Sequence, residues 1–398
     1  MPDQGAIRRT ALAVVLAVAA CLACSAPAWA ATPVHRYRVI GYATDWNPTQ
    51  TKDLDKIDTL IFAFAEVHAD RVTLTREAGH RLAKLVALKA RDPGLKVDIS
   101  IGGWGAGGFS EAAATAAGRQ AFADTATQLV VASHADGIDV DWEYPGSSQG
   151  GIASSPHDRE NFTLLLKALR IRLDAAGAEG HRHYTLSIAV ADGPLADGVD
   201  IAAVNRYVDW FNLMTYDFCN SLTPTTCHQA GLYASKLAPA GARTGQRAVE
   251  QYLAAGVAPA QLVLGAAFYG REFGEVAPAH DGLYQPYKKF IAFVPWSKLA
   301  ADFIDKHGFV RHWDAQASAA WLWNANTRTF ISYDDPEALA AKAAFVRQHH
   351  LGGIMYWEQG LDPADTLLDA IWKGLHPAST TAVTSPGATA TPARNWDG

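Results

Sequence analysis

Several things are scarce or missing in this chain of 398 residues. Cysteine occurs only four times. Two of the four, Cys21 and Cys24, lie in an apolar N-terminal run, which leaves Cys219 and Cys227 as the one candidate pair further on. Lysine and arginine are too dispersed to form a basic block, and acids exceed them 40 to 34, so nucleic acid is not an expected partner. Beyond the N-terminus no apolar run is long enough to span a bilayer. No glycine-rich phosphate loop sits at a strand-to-helix turn, which removes the main signal for a doubly wound nucleotide-binding sheet. Histidines do not recur at a spacing that would hold a metal, and no cofactor is expected. Charged residues make up 19% of the chain against 49% hydrophobic ones, a composition that fits a large folded core and not a disordered protein.

The N-terminus reads as an export signal. Arg8 and Arg9 precede the run "ALAVVLAVAACLAC", and "APAWA" supplies small residues at Ala28 and Ala30. Cleavage after Ala30 is expected, giving a signal peptide over 1–30 and a secreted, extracellular or periplasmic, protein. A lipoprotein signal anchored through Cys21 is the alternative. In an oxidising compartment Cys219 and Cys227, eight positions apart in "CNSLTPTTC", are expected to form a disulfide; two free thiols are the other reading. The last residues, 377–398, are rich in Ala, Ser, Thr and Pro and read as a disordered tail or linker.

Between these ends, short β-branched and aromatic runs alternate with Ala/Leu-rich helical stretches. Eight strands are expected at 37–43, 59–67, 96–104, 136–143, 184–191, 208–216, 262–270 and 352–358. Most are near-continuous apolar runs, as in strands buried on both faces. The clearest helix is 158–174, where Phe162, Leu165, Leu166, Leu169 and Leu173 recur on one face. Eight strands with intervening helices predict an α/β fold, a (β/α)8 barrel over 31–376. The gap before the last strand is too long for a plain loop. It is expected to hold a small α+β insertion over 272–335.

The stretch "DGIDVDWEYP" (136–145) packs four acids into a strand-like run. Side chains alternate along a strand, so Asp139, Asp141 and Glu143 share one face while Ile138, Val140 and Trp142 share the other. In a barrel the acids would rise through the interior and the apolar three would meet the helices. Glu143 would then reach the C-terminal mouth, where barrel active sites are built. Acids so close raise one another's pKa and share protons, and a Glu held protonated near neutral pH can act as a general acid. A buried acid network without chemistry and a divalent metal site are the competing readings.

"DGIDVDWE" resembles the DxxDxDxE signature of family 18 glycoside hydrolases, the chitinase family. "SIGGW" (100–104) resembles the family's SxGG motif, "MTYD" (214–217) its MxYD motif, and "GAAFYGR" (265–271) and "GGIMYWE" (352–358) its last two barrel segments. All occur in family order across roughly 36–374, and the insertion resembles the chitinase insertion domain. The resemblance implies a secreted chitinase acting on N-acetylglucosamine oligosaccharides or chitin by a retaining, substrate-assisted route; nothing in the sequence argues for an oligomer, so a monomer is expected. It implies Glu143 as acid, Asp141 and Asp139 as the pair that steers the substrate's acetamido group, and Tyr216 as a hydrogen-bond donor to it. Tyr42 and Ser100 would support the lower acids, Met214 and Asp217 complete a wall, and Trp357 form a floor beneath the sugar. Phe64, Trp104 and Tyr269, with Trp46 and Trp313, are candidate cleft aromatics. Arg271 is a candidate for a sugar hydroxyl, 313–324 for a groove wall, and Gly102 and Gly103 for leaving room. Asp136 is expected to be structural. An endo-β-N-acetylglucosaminidase, a peptidoglycan hydrolase and a chitin-binding lectin remain the alternatives.

Overall fold

The computed structural model describes residues 37–44 and 52–377; the signal-like segment, Trp46 and the tail from 378 onward lie outside the described residues. Fourteen strands are described in chain order: β1 (Arg38–Thr44), β2 (Thr59–His68), β3 (Arg71–Thr73), β4 (Lys96–Gly102), β5 (Gly137–Asp141), β6 (Thr185–Val190), β7 (Trp210–Leu213), β8 (Leu262–Ala267), β9 (Tyr269–Gly274), β10 (Lys289–Pro295), β11 (Val310–Asp314), β12 (Ala319–Asn324), β13 (Thr329–Tyr333) and β14 (Gly353–Trp357). Eight of them, β1, β2, β4 to β8 and β14, pair in parallel, and β1 pairs with both β2 and β14, so the sheet closes on itself. The fold is a (β/α)8 barrel. The helix expected over 158–174 runs Asp158–Gly180 and buries Phe162, Leu165, Leu166, Leu169 and Leu173.

Local chemistry starts the helices where they are. Thr75, Thr115 and Thr244 each accept a hydrogen bond from the backbone N–H three residues on, at the head of the helices Arg76–Ala87, Ala116–Ser133 and Gly245–Ala254. Asp335 does the same for Pro336–Gln348, where proline occupies the first turn and gives up no bond it would need. On β5 the alternation holds. Ile138, Val140 and Trp142 are buried, and Trp142 stacks on Phe109 at 5.3 Å and meets Phe162 edge-on at 5.4 Å. Those rings come from two of the surrounding helices.

The expected strand over 262–270 divides. β8 ends at Ala267, and the chain passes through Phe268 directly into β9, which belongs to a second sheet. That sheet has five antiparallel strands in the order β10-β9-β13-β12-β11. Tyr269 and Arg271 therefore sit on the insertion and not on a barrel strand. Phe268 locks the junction: its N–H donates to the Trp357 carbonyl at 2.8 Å, and its ring stacks on Tyr356 at 4.2 Å. On the return path, Asp334 accepts from Lys342 at 2.5 Å and from the Ala267 N–H at 3.0 Å. This buried pair ties the end of the inserted sheet back to β8.

Candidate active site

The barrel register sets the lower tier of the site. Ser100 on β4 and Ser187 on β6 flank Asp139 on β5 directly. Asp139 is fully buried and accepts four hydrogen bonds. Tyr42 (2.9 Å) and Ser100 (2.7 Å) donate to Oδ2, while Ser187 (2.7 Å) and Asn212 Nδ2 (3.1 Å) donate to Oδ1. The Trp210 indole N–H, 3.1 Å from Asn212 Oδ1, fixes which way that amide points. Burial pushes the Asp139 pKa up, and the Ser187, Ser100, Tyr42 and Asn212 hydrogen bonds pull it back. Both Asp139 oxygens are thus met by neutral donors. Ser187 and Asn212 escaped the motif reading. A lone polar residue inside each of the apolar runs "LSIAV" and "WFNL" was their only signal.

Above this tier a cavity of about 620 Å³ opens at the C-terminal mouth of the barrel. Of the residues singled out from sequence, Tyr42, Phe64, Gly102, Gly103, Trp104, Asp141, Glu143, Met214, Tyr216, Asp217, Tyr269, Arg271 and Trp357 line it. Ser100 and Asp139 do not. They lie one layer below, so Ser100 supports the acid and does not face a ligand. Trp313 and the 313–324 segment are also absent from the lining; β11 is the far edge strand of the inserted sheet, and Arg311 packs over the Trp313 ring. The inserted sheet reaches the cavity instead through Tyr269, Arg271 and Phe293. Tyr144, Leu222 and Arg243 line it too, from loops whose approach no periodicity reveals.

Asp141 and Glu143 face each other electrostatically. Burial, then Glu143, then Asp139 hold the Asp141 carboxyl well above its ordinary range. Its Oδ1 is buried with no hydrogen-bond partner among the described residues. Burial raises Glu143 to about 7, with a hydrogen bond from Tyr144 opposing and the Asp217 charge adding. Tyr216 is buried beside both acids, and among the described residues its hydroxyl meets the Met355 sulfur at 3.9 Å. Asp217 is held from the other side by Arg271, whose Nε and Nη2 reach its two oxygens at 2.7 and 2.5 Å. This two-pronged bond fixes both side chains.

Aromatic rings pave the opposite flank. Trp357 stacks near-parallel on Phe64 at 5.7 Å and tilts against Tyr42 at 5.6 Å. Gly102 at the end of β4 and Gly103 just after it both line the cavity and stand close against neighbouring protein atoms. A Cβ at Gly102 would stand 2.1 Å from the Asp141 carbonyl oxygen, and one at Gly103 would stand 2.7 Å from the Phe64 ring. Both have φ in the left-handed range, +118° and +95°. Asp136 sits at the other end of β5, where Lys89 (2.7 Å), Arg182 (2.6 Å) and the Val97 N–H (2.9 Å) bind it. Cys219 and Cys227 form a disulfide. Tyr287 of the insertion donates to the carbonyls of Asn220 and Thr223 within that closed loop.

A row of acids on one barrel strand beneath an aromatic-lined cleft is matched by a family model, Glycosyl hydrolases family 18, over residues 38–362. The chain belongs to that family. Within family 18 it is 39% identical over 326 residues to Chitinase A1 of Niallia circulans, covering 76% of this chain and 47% of that one. It thus spans about half the length of that relative. It is 33% identical over 302 residues to Chitinase 1 of Aphanocladium album, covering 73% and 68%. A solved family 18 N-acetylglucosaminidase from Paenibacillus barengoltzii superposes with a TM-score of 0.81 at 42% identity, covering 85% of this chain and 99% of that one.

Proposed function

We propose that the protein is an exported chitinase that hydrolyses β-1,4 linkages between N-acetylglucosamine units with retention, using the substrate's own acetamido group as nucleophile. The observation that carries this is the pairing of Glu143, raised to about 7, with Asp141, whose buried Oδ1 lacks a partner. A protonated Glu143 donates its proton to the glycosidic oxygen as the C1–O bond breaks. The acetamido carbonyl oxygen attacks C1 from the opposite face, giving an oxazolinium ion. Asp141 Oδ1 accepts the acetamido N–H, which orients the carbonyl for attack. The Tyr216 hydroxyl donates to the acetamido oxygen. Glu143, now a carboxylate, takes a proton from water as it attacks C1, and the β-anomer returns. Asp139 and its four donors keep Asp141 in place from below, and Trp357 offers an apolar face to the sugar. The Cys219–Cys227 disulfide suits an oxidising compartment, in keeping with removal of 1–30 on export.

The deciding experiment digests N-acetylglucosamine hexamer and reads product size and anomer together. Short β-anomeric products are expected. First release of the α-anomer would overturn the mechanism, as would rapid cleavage of fully deacetylated chitosan. The likeness to an N-acetylglucosaminidase favours one second reading on the same site: release of single sugars. The same digest separates the two, since monosaccharide from the outset marks an exo-acting N-acetylglucosaminidase.

A further inference from the structure

Tyr269 reads from sequence as a stacking surface in the cleft, yet its side chain is only 2% exposed. Phe293 of β10 covers one face of its ring, with centroids 4.4 Å apart and planes 24° from parallel, and Tyr216 meets it edge-on at 6.2 Å. Tyr269 has no free face to offer. Phe293 does. It lines the cleft and is 37% exposed, although it is a large apolar side chain. The Arg271 guanidinium, anchored to Asp217, lies 5.6 Å from the Phe293 centroid. One face of the ring is thus held against a rigid Tyr269–Arg271–Asp217 assembly, and its exposed part opens on the cleft. The antiparallel register sets Phe293 opposite Arg271 on β9, so the same sheet that fixes Arg271 fixes the ring.

We propose that Phe293 is the inserted sheet's sugar-binding platform, packing against the apolar C–H face of a pyranose of the bound oligosaccharide. This rests on the chitinolytic reading above. An exposed phenyl ring gains by covering apolar sugar surface, and a ring already immobilised loses little freedom on doing so. Phe293 carries no group that takes part in the bond changes, so the contact contributes alike to ground and transition states. It belongs in KM and not in kcat.

The test compares kcat and KM on N-acetylglucosamine hexamer for wild type, Phe293→Ala, Phe293→Leu and Phe293→Trp. Phe293→Leu keeps apolar volume over Tyr269 and guards against a folding failure in the alanine variant. The expected result is a rise in KM of about tenfold for Phe293→Ala, a smaller rise for Phe293→Leu, a KM near wild type for Phe293→Trp, and kcat within about twofold throughout. An unchanged KM in both Phe293→Ala and Phe293→Leu overturns the proposal. A fall in kcat at constant KM also overturns it and leaves Phe293 as a residue that only positions Tyr269. Wild type that cleaves no hexamer would show itself before any variant is compared, and would remove the chitinolytic reading together with this one.

Discussion

Glu143 has a side chain whose ordinary range would leave it ionised at neutral pH, and burial lifts it to about 7. Its working form in the first step is the protonated one. Activity is therefore expected to fall as pH rises through about 7, and the upper limb of the kcat profile measures this directly. Glu143→Gln keeps the shape and removes the proton. A loss of about a hundredfold to ten-thousandfold in kcat is expected, with hexamer affinity retained by calorimetry. Turnover close to wild type would remove Glu143 from its role. Asp141 and Glu143 could be picked out from the sequence because strand alternation and the family signature coincide on them. Phe293 and Arg243 could not, since they reach the cavity from segments far along the chain from the signature, and Tyr144, although next to Glu143, lies outside the alternating motif.

At the scale of elements, β4 is fitted to its neighbours through glycine: Gly102 against the β5 backbone at Asp141, and Gly103, just past the strand, against Phe64 on β2. Gly103 holds φ +95° and leaves room for the Phe64 ring, which in turn stacks on Trp357. Gly103→Ala should destabilise the fold by roughly 1–3 kcal/mol in denaturant unfolding, and should also lower activity by displacing Phe64 from Trp357. Unchanged stability and rate would show that the β4 turn relaxes freely. The positions of the eight barrel strands could be read from apolar runs because each is buried on both faces. The division of 262–270 into β8 and β9 could not. Apolar residues continue through Phe268 without a break, and only the pairing partners change, from β14 to β13 and β10. Pairing is a long-range choice that local composition does not record.

On the scale of the whole molecule, the barrel interior carries more buried acid than the proposed chemistry uses. Asp98, two residues before Ser100 on β4, is fully buried and accepts from the Thr185 hydroxyl at 2.6 Å, while its Oδ1 has no hydrogen-bond partner. Burial raises it to about 7, against about 4 for an unfolded Asp. Between those values the folded chain keeps a proton that the unfolded chain has released. The contribution to stability is full below about pH 4 and is lost as pH rises through about 7. Asp139, Asp141 and Glu143 are raised in the same direction, so melting temperature should be higher near pH 5 than near pH 8. Asp98→Asn should narrow that gap by raising stability at pH 8, by on the order of a few kcal/mol. A gap as wide in the variant as in wild type would acquit Asp98.

The sequence by itself determined the barrel, the strand that carries the acids, the face they share and the family. These follow from local periodicity and from motifs short enough to be read in one stretch. The disulfide partners were equally accessible, since only one pair remained to consider. Tertiary structure alone decided which side chains complete the site. It gave Asp139 four donors from four different strands, left one Asp141 oxygen unpartnered, sank Ser100 beneath the cleft, turned 313–324 away from it and laid Phe293 over Tyr269. Each of those outcomes depends on residues from different strands meeting across a closed sheet or at the junction of two sheets, and the geometry of closure is not encoded in any one segment.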